Sequence, residues 1–197
     1  MGIFVGSFID RNSSLLVKER VYLKKKLMQP NTFHCKKRLI PFVKEPILDS
    51  NENVIMRVST KLSWVPKFKF LIGEATLYSA ILKIATGNIL KKEFVIYDNS
   101  SNEIVAVVSE KSLHKKKSIF TEYNIVIGES KYEAKYEPMY KGFSITDVND
   151  RLCVTGVKTD FIISNFLKNR SYYVEIYNKE HDKLVWLAVV KGMQFLE

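Results

Sequence analysis

The side chains best equipped to move a proton, hold a metal or attack a carbonyl are three histidines, His34, His114 and His181, and two cysteines, Cys35 and Cys153. Their spacing supports none of these chemistries. No His-x-x-x-His, paired Cys or mixed Cys/His cluster has the short separation that fixes two zinc ligands on one turn. No Gly-x-Ser-x-Gly elbow or Gly-rich phosphate loop is present. A Ser/His/Asp set can be assembled only by free choice among distant residues, which is not a nucleophile–base arrangement. All three histidines are expected at the surface. No enzymatic activity, metal or cofactor is expected.

The remaining charged chemistry is cationic. The net charge is +10, and it is uneven. Residues 1–98 carry 17 Lys and Arg against 8 Asp and Glu, an excess of nine, whereas residues 99–197 carry 14 against 13. The clusters are Lys24, Lys25 and Lys26; Lys36, Lys37 and Arg38; Lys91 and Lys92; and Lys115, Lys116 and Lys117. Each reads either as a solvated surface or as a contact for phosphate. If they converge on one face, anionic phospholipid becomes the partner, at about 1 kcal/mol for each basic residue near a charged membrane. Nucleic acid is not expected, because no helix-turn-helix or aromatic–basic RNA-binding motif is present. Trp64, Phe68 and Phe70 interleave with Lys67 and Lys69 as any half-buried strand does.

Two thiols without partners suit a reducing compartment, and the chain does not open on a secretory signal pattern, so a cytoplasmic location is expected. Met1-Gly2 lacks the Ser or Thr at position 6 that myristoylation requires.

Those residues must be carried by something, and the sequence is mostly strand-like. Four segments share one plan, an apolar approach, an Asp/Asn turn and a β-branched run. They are Ile47–Asn53 into Val54–Met56, Val95–Glu103 into Ile104–Val108, Phe143–Asp150 into Leu152–Val154, and Val174–Asn178 through Asp182 into Leu184–Val190. Asp and Asn bond nearby backbone and tolerate left-handed conformations, so the first three read as β-hairpins spaced near 50 residues apart. Period-two runs around Tyr123–Ile127, Tyr132–Tyr136 and Tyr172–Ile176 add further strands. Leu77–Ile84 fits a helical turn or a strand, and Asp160–Leu167 is a second helix candidate.

The C-terminal run Leu184–Val190 is too short to span a bilayer, which takes roughly 20 apolar residues. Its β-branched residues favour strand, but Asp182 is a good helix N-cap, and Lys191 and Gln194 share a helical face. A helix apolar on nearly every side belongs in a core. One domain is expected, with a basic strand and loop region over 1–40 and a barrel over 41–197. The barrel is mainly β, closed and antiparallel, and surrounds a hydrophobic C-terminal helix over 182–196. Closure removes exposed edges, and a barrel of more than about eight strands needs its lumen filled.

With the repeated hairpins and the closing pattern Tyr173-Val174-Glu175-Ile176, Asp182, Leu184–Met193, the chain resembles the tubby C-terminal-like superfamily. Within it the likeness is to the LURP-one-related and phospholipid-scramblase-like branch, including small bacterial members. The resemblance covers roughly Pro41–Glu197 and implies about twelve strands around the C-terminal helix. Repeated hairpins, an apolar C-terminal filler and no catalytic constellation lead to a non-enzymatic cytoplasmic binding or scaffold module, its partner an unidentified protein. The alternative is a peripheral membrane protein that binds anionic phospholipid through the basic clusters of the first half. The phosphoinositide-binding basic positions of tubby proteins have no residue-by-residue match here. The cysteine-rich palmitoylated segment and the Ca²⁺-binding stretch of scramblases are missing.

Overall fold

A computed structural model describes residues 31–36, 44–61, 64–85, 91–111, 121–136, 142–159 and 171–196. It is a closed antiparallel barrel of twelve strands with one helix. The strands are β1 Thr32–Cys35, β2 Glu45–Leu48, β3 Val54–Lys61, β4 Lys67–Ile72, β5 Ala75–Ala85 and β6 Lys91–Asp98. They continue as β7 Ile104–Glu110, β8 Glu122–Ile127, β9 Ser130–Tyr136, β10 Gly142–Asp147, β11 Leu152–Lys158 and β12 Tyr172–Ile176, and helix α1 spans Lys183–Leu196. Neighbours in sequence are neighbours in the barrel, and β1 closes it against β12.

The three expected hairpins are β2–β3, β6–β7 and β10–β11, and they are copies of one device. Asp49, Asp98 and Asp147 fall at steps of 49 residues. Each aspartate Oδ1 accepts two backbone N–H bonds within its turn: Asn51 and Asn53 at Asp49, Ser100 and Ser101 at Asp98, Asn149 and Arg151 at Asp147. Each turn also contains one left-handed residue, Glu52, Asn102 or Asp150. A register shift precedes each turn, at Ile47/Leu48, Ile96/Tyr97 and Ile145/Thr146. The intervening hairpins β4–β5 and β8–β9 turn at Gly73 and Gly128, both at positive φ. The barrel is thus three four-strand units. The third is completed by β1, which comes from the segment before Pro41.

Leu77–Ile84, ambiguous from its pattern, lies within β5, where pairing with β4 and β6 decides for strand. Asp160–Leu167 lies outside the described residues.

At the position where the third unit would turn back, the chain enters the lumen instead. Asp182 caps the helix: its Oδ1 accepts the Leu184 N–H at 2.9 Å, and its carbonyl accepts from Val185 and Trp186. The 14 residues of α1 run about 21 Å at 1.5 Å each, enough to thread a barrel. Val185 through Gln194 and Leu196 are buried. Inward residues of the wall meet them: Phe195 packs against Phe68 at 4.3 Å and Phe94 at 5.8 Å, and Trp186 meets Tyr132 edge-on at 4.9 Å. A Cβ at Gly192 would stand 2.7 Å from the Phe94 ring, so glycine lets the helix approach that wall. No helix among the described residues is long and apolar enough to cross a membrane.

Because successive strands alternate in direction, the barrel has two distinct ends. The entry end carries the β2–β3, β4–β5, β6–β7, β8–β9 and β10–β11 turns and the β12–α1 connection. The exit end carries the other connections and receives the C-terminus of α1.

Candidate functional site

Polar chemistry inside the barrel is concentrated on one side chain. Lys191, fully buried on α1, donates from Nζ to the Glu45 carboxylate and, at 3.0 Å, to the Lys36 carbonyl. Its ammonium also lies 5.3 Å from the Phe195 ring centroid. A buried ammonium requires such partners, because desolvation otherwise costs several kcal/mol per ion. Glu45 opens β2 and Lys36 follows β1, strands that among the described residues pair through His34↔Leu48 and Cys35↔Ile47. Lys191 therefore ties the plug to the β1–β2 seam of the wall. The adjacent Cys35 thiol is pushed up to about 12 by burial and stays protonated.

A second polar group closes the entry end. His181 Nε2 lies 2.8 Å from the Tyr132 hydroxyl, which Glu180 approaches at 3.5 Å. The Asn178 amide donates to Cys153 Sγ at 3.7 Å. Burial raises both the Tyr132 hydroxyl and the Cys153 thiol. Neither thiol is placed as a ready nucleophile, since the thiolate is the reactive form. Among the described residues no three His, Cys, Asp or Glu side chains gather to hold a metal.

Two histidines depart from the expectation of open surface. His34 is half-buried in β1 with its ring 4.5 Å from Tyr173, and burial lowers it to about 4. His181 is half-buried against Tyr132 and Trp186. His114 lies outside the described residues.

Of the basic clusters, Lys24, Lys25, Lys26, Lys37, Arg38, Lys115, Lys116 and Lys117 lie outside the described residues. Lys36 is half-buried beside the plug, and its backbone serves Lys191. Lys91 and Lys92 open β6 at the exit end, and Lys92 is exposed.

The structure joins Lys92 to lysines that sequence reading did not group with it. Lys61 ends β3, Lys67 opens β4 and Lys83 lies near the end of β5, all exposed at the exit end. Register sets Lys61 directly opposite Lys67, and Ile84 opposite Lys92. Glu93, opposite Lys83, is the one carboxylate among the described residues of these strand ends. Trp64, fully exposed at 104%, stands between β3 and β4 with Val65 (45%), and Ile84 is 54% exposed.

The entry end has the opposite sign. Every connection there carries a carboxylate, and bonds within the turns hold Asp49, Asp98 and Asp147 below the usual carboxylate range. The leading causes are the Asn53 amide, the Ser100 hydroxyl and the Arg151 backbone N–H respectively. A groove of about 510 Å³ opens over β8–β10 beside this end, with Glu133, Asp147, Asp150 and Lys131 in its lining.

Compared with models of protein families, with curated proteins and with solved structures, the chain matches none.

Proposed function

We propose that this protein is a non-enzymatic, tubby-like barrel that works as a peripheral membrane-binding module. It docks anionic phospholipid headgroups through the exit-end rim of β3 to β6. The observation that carries the reading is the rim itself: Lys61 and Lys67 face each other across β3–β4 beneath a fully exposed Trp64. Like charges directly opposite one another on a sheet are destabilising, and an anion between or above them removes the cost. With Lys83 and Lys92, four exposed lysines share the exit-end rim of β3 to β6 with Trp64, Val65 and Ile84.

The arrangement suits an interface. Lysines near a negative leaflet contribute about 1 kcal/mol each, and tryptophan prefers the headgroup level. The lumen is filled by α1, so a ligand meets the outside of the barrel. Resemblance to a superfamily with phosphoinositide-binding members favours the same class of partner.

Vesicle sedimentation tests the reading. The protein should pellet with phosphatidylserine-containing vesicles at low salt, remain soluble with phosphatidylcholine alone, and be released by high salt. The K61E/K67E variant should lose roughly tenfold or more in affinity while keeping its thermal unfolding. Equal binding by the variant and the parent refutes the assignment to this rim.

A further inference from the structure

We infer that the entry end is a docking surface for a cationic, apolar-bearing polypeptide segment of a separate protein. This goes beyond the membrane reading and does not depend on it. The first observation is how exposed apolar residues are distributed. All nine large apolar side chains that are exposed among the described residues lie at one end of the barrel or the other. Three belong to the exit-end rim. The other six, Val54, Ile72, Ile104, Val148, Leu152 and Tyr177, are at the entry end. Val148 is 76% exposed, and the Tyr177 N–H bonds the Cys153 carbonyl, which places it beside Leu152. Val148, Leu152 and Tyr177 thus share the β10–β12 side of this end, and apolar side chains that share a surface mark an interaction site whereas scattered single ones do not.

The second observation gives the partner its sign. Glu52, Glu74, Glu103, Glu129, Asp150 and Glu180 place at least one carboxylate on each of the six connections. The cations at the same end are Lys131, Arg151, Lys179 and Lys183; Arg151 is already paired with Asp147 at 2.8 Å, and Lys44 reaches Glu74 at 3.6 Å. In a chain of net charge +10 this end is a local reversal of sign. Complementary potential of this kind selects partners and speeds their encounter. The groove over β8–β10 gives the segment a recess, with Val148 and Asp150 at its lining. An anionic membrane repels this end, so it also faces away from a leaflet that holds the other.

The experiment titrates the full-length protein, without vesicles, into a labelled peptide of alternating lysine and leucine. Lysine–serine and glutamate–leucine peptides serve as controls. Saturable, salt-sensitive binding of the lysine–leucine peptide alone is expected. The E74K/E103K/E129K variant should bind it roughly tenfold or more weakly. Those three side chains are exposed and take no part in the aspartate-centred turns, and the one ion pair lost, Glu74 with Lys44 at 3.6 Å, lies at the surface, so the variant should nearly keep its melting temperature. V148S/L152S should weaken binding without changing its salt dependence. Binding unaffected by either variant overturns the inference. Binding that appears only after residues 1–30 are deleted assigns the surface to the chain's own beginning, and also overturns it. Salt-sensitive chains of the protein in sedimentation, abolished by E74K/E103K/E129K, assign the surface to a second copy and overturn it likewise. Because no lipid is present, failure here leaves the membrane reading standing.

Discussion

His34 shows how one residue of the wall couples the barrel to pH. Its ring is held neutral by burial against Tyr173, at about 4 compared with 6.5 for an ordinary histidine. Above pH 6.5 the ring is neutral whether folded or unfolded, so it has no effect there. As pH falls through 6.5 the unfolded chain takes up a proton that the folded one refuses until about 4. Stability is lost across that window, up to about 3 kcal/mol. Urea denaturation of the H34F variant should show a shallower loss between pH 6.5 and 4 than the parent; parallel curves would exclude this source. Lys191 is the second residue with a defined cost. Replacing it with methionine removes the ammonium that neutralises the buried Glu45 carboxylate and should cost about 3–5 kcal/mol. K191M/E45L, which removes both charges, should recover much of that loss in the same measurement. No sequence pattern pairs residues 146 positions apart. The only trace of the pair was a lysine sharing a helical face with Gln194 inside an otherwise apolar helix. Both side chains are fully buried.

Elements were far more legible than contacts. Asp49, Asp98 and Asp147 announced their hairpins because an aspartate that bonds its own turn needs only local sequence. Helix α1 was legible for the same reason, with Asp182 as cap and a run too uniformly apolar to face water. β1 was not: four residues give too little alternation, and its place is set by pairing with β12 at the far end of the sequence. The plug bears on folding as a whole. Trp186, Val189, Val190 and Met193 are completely buried, and each large core side chain truncated to alanine typically costs 2–5 kcal/mol. A chain ending before Asp182 should therefore lose its cooperative thermal transition and expose apolar surface to a hydrophobic dye. A retained sharp transition would mean that the wall stands without its plug.

At the scale of the whole molecule the barrel has two unlike ends. The excess of positive charge in the first half of the chain was visible in composition. Its direction was not, because which lysines share an end follows from strand parity and register. Lys61 and Lys67 read as unremarkable strand residues until β3 and β4 are paired. Threading by α1 fills the lumen, and both observed chemistries lie at the ends.

The two tryptophans allow the central claim to be read directly. Trp64 is fully exposed at the exit-end rim, and Trp186 is sealed in the lumen. Fluorescence should be measured with vesicles of phosphatidylserine and bromine-labelled phosphatidylcholine. The account predicts that the bromine quenches only the Trp64 share, so the parent is quenched and W64F is not. Equal quenching of W64F and the parent, or none in either while the protein is bound, would contradict docking through this end.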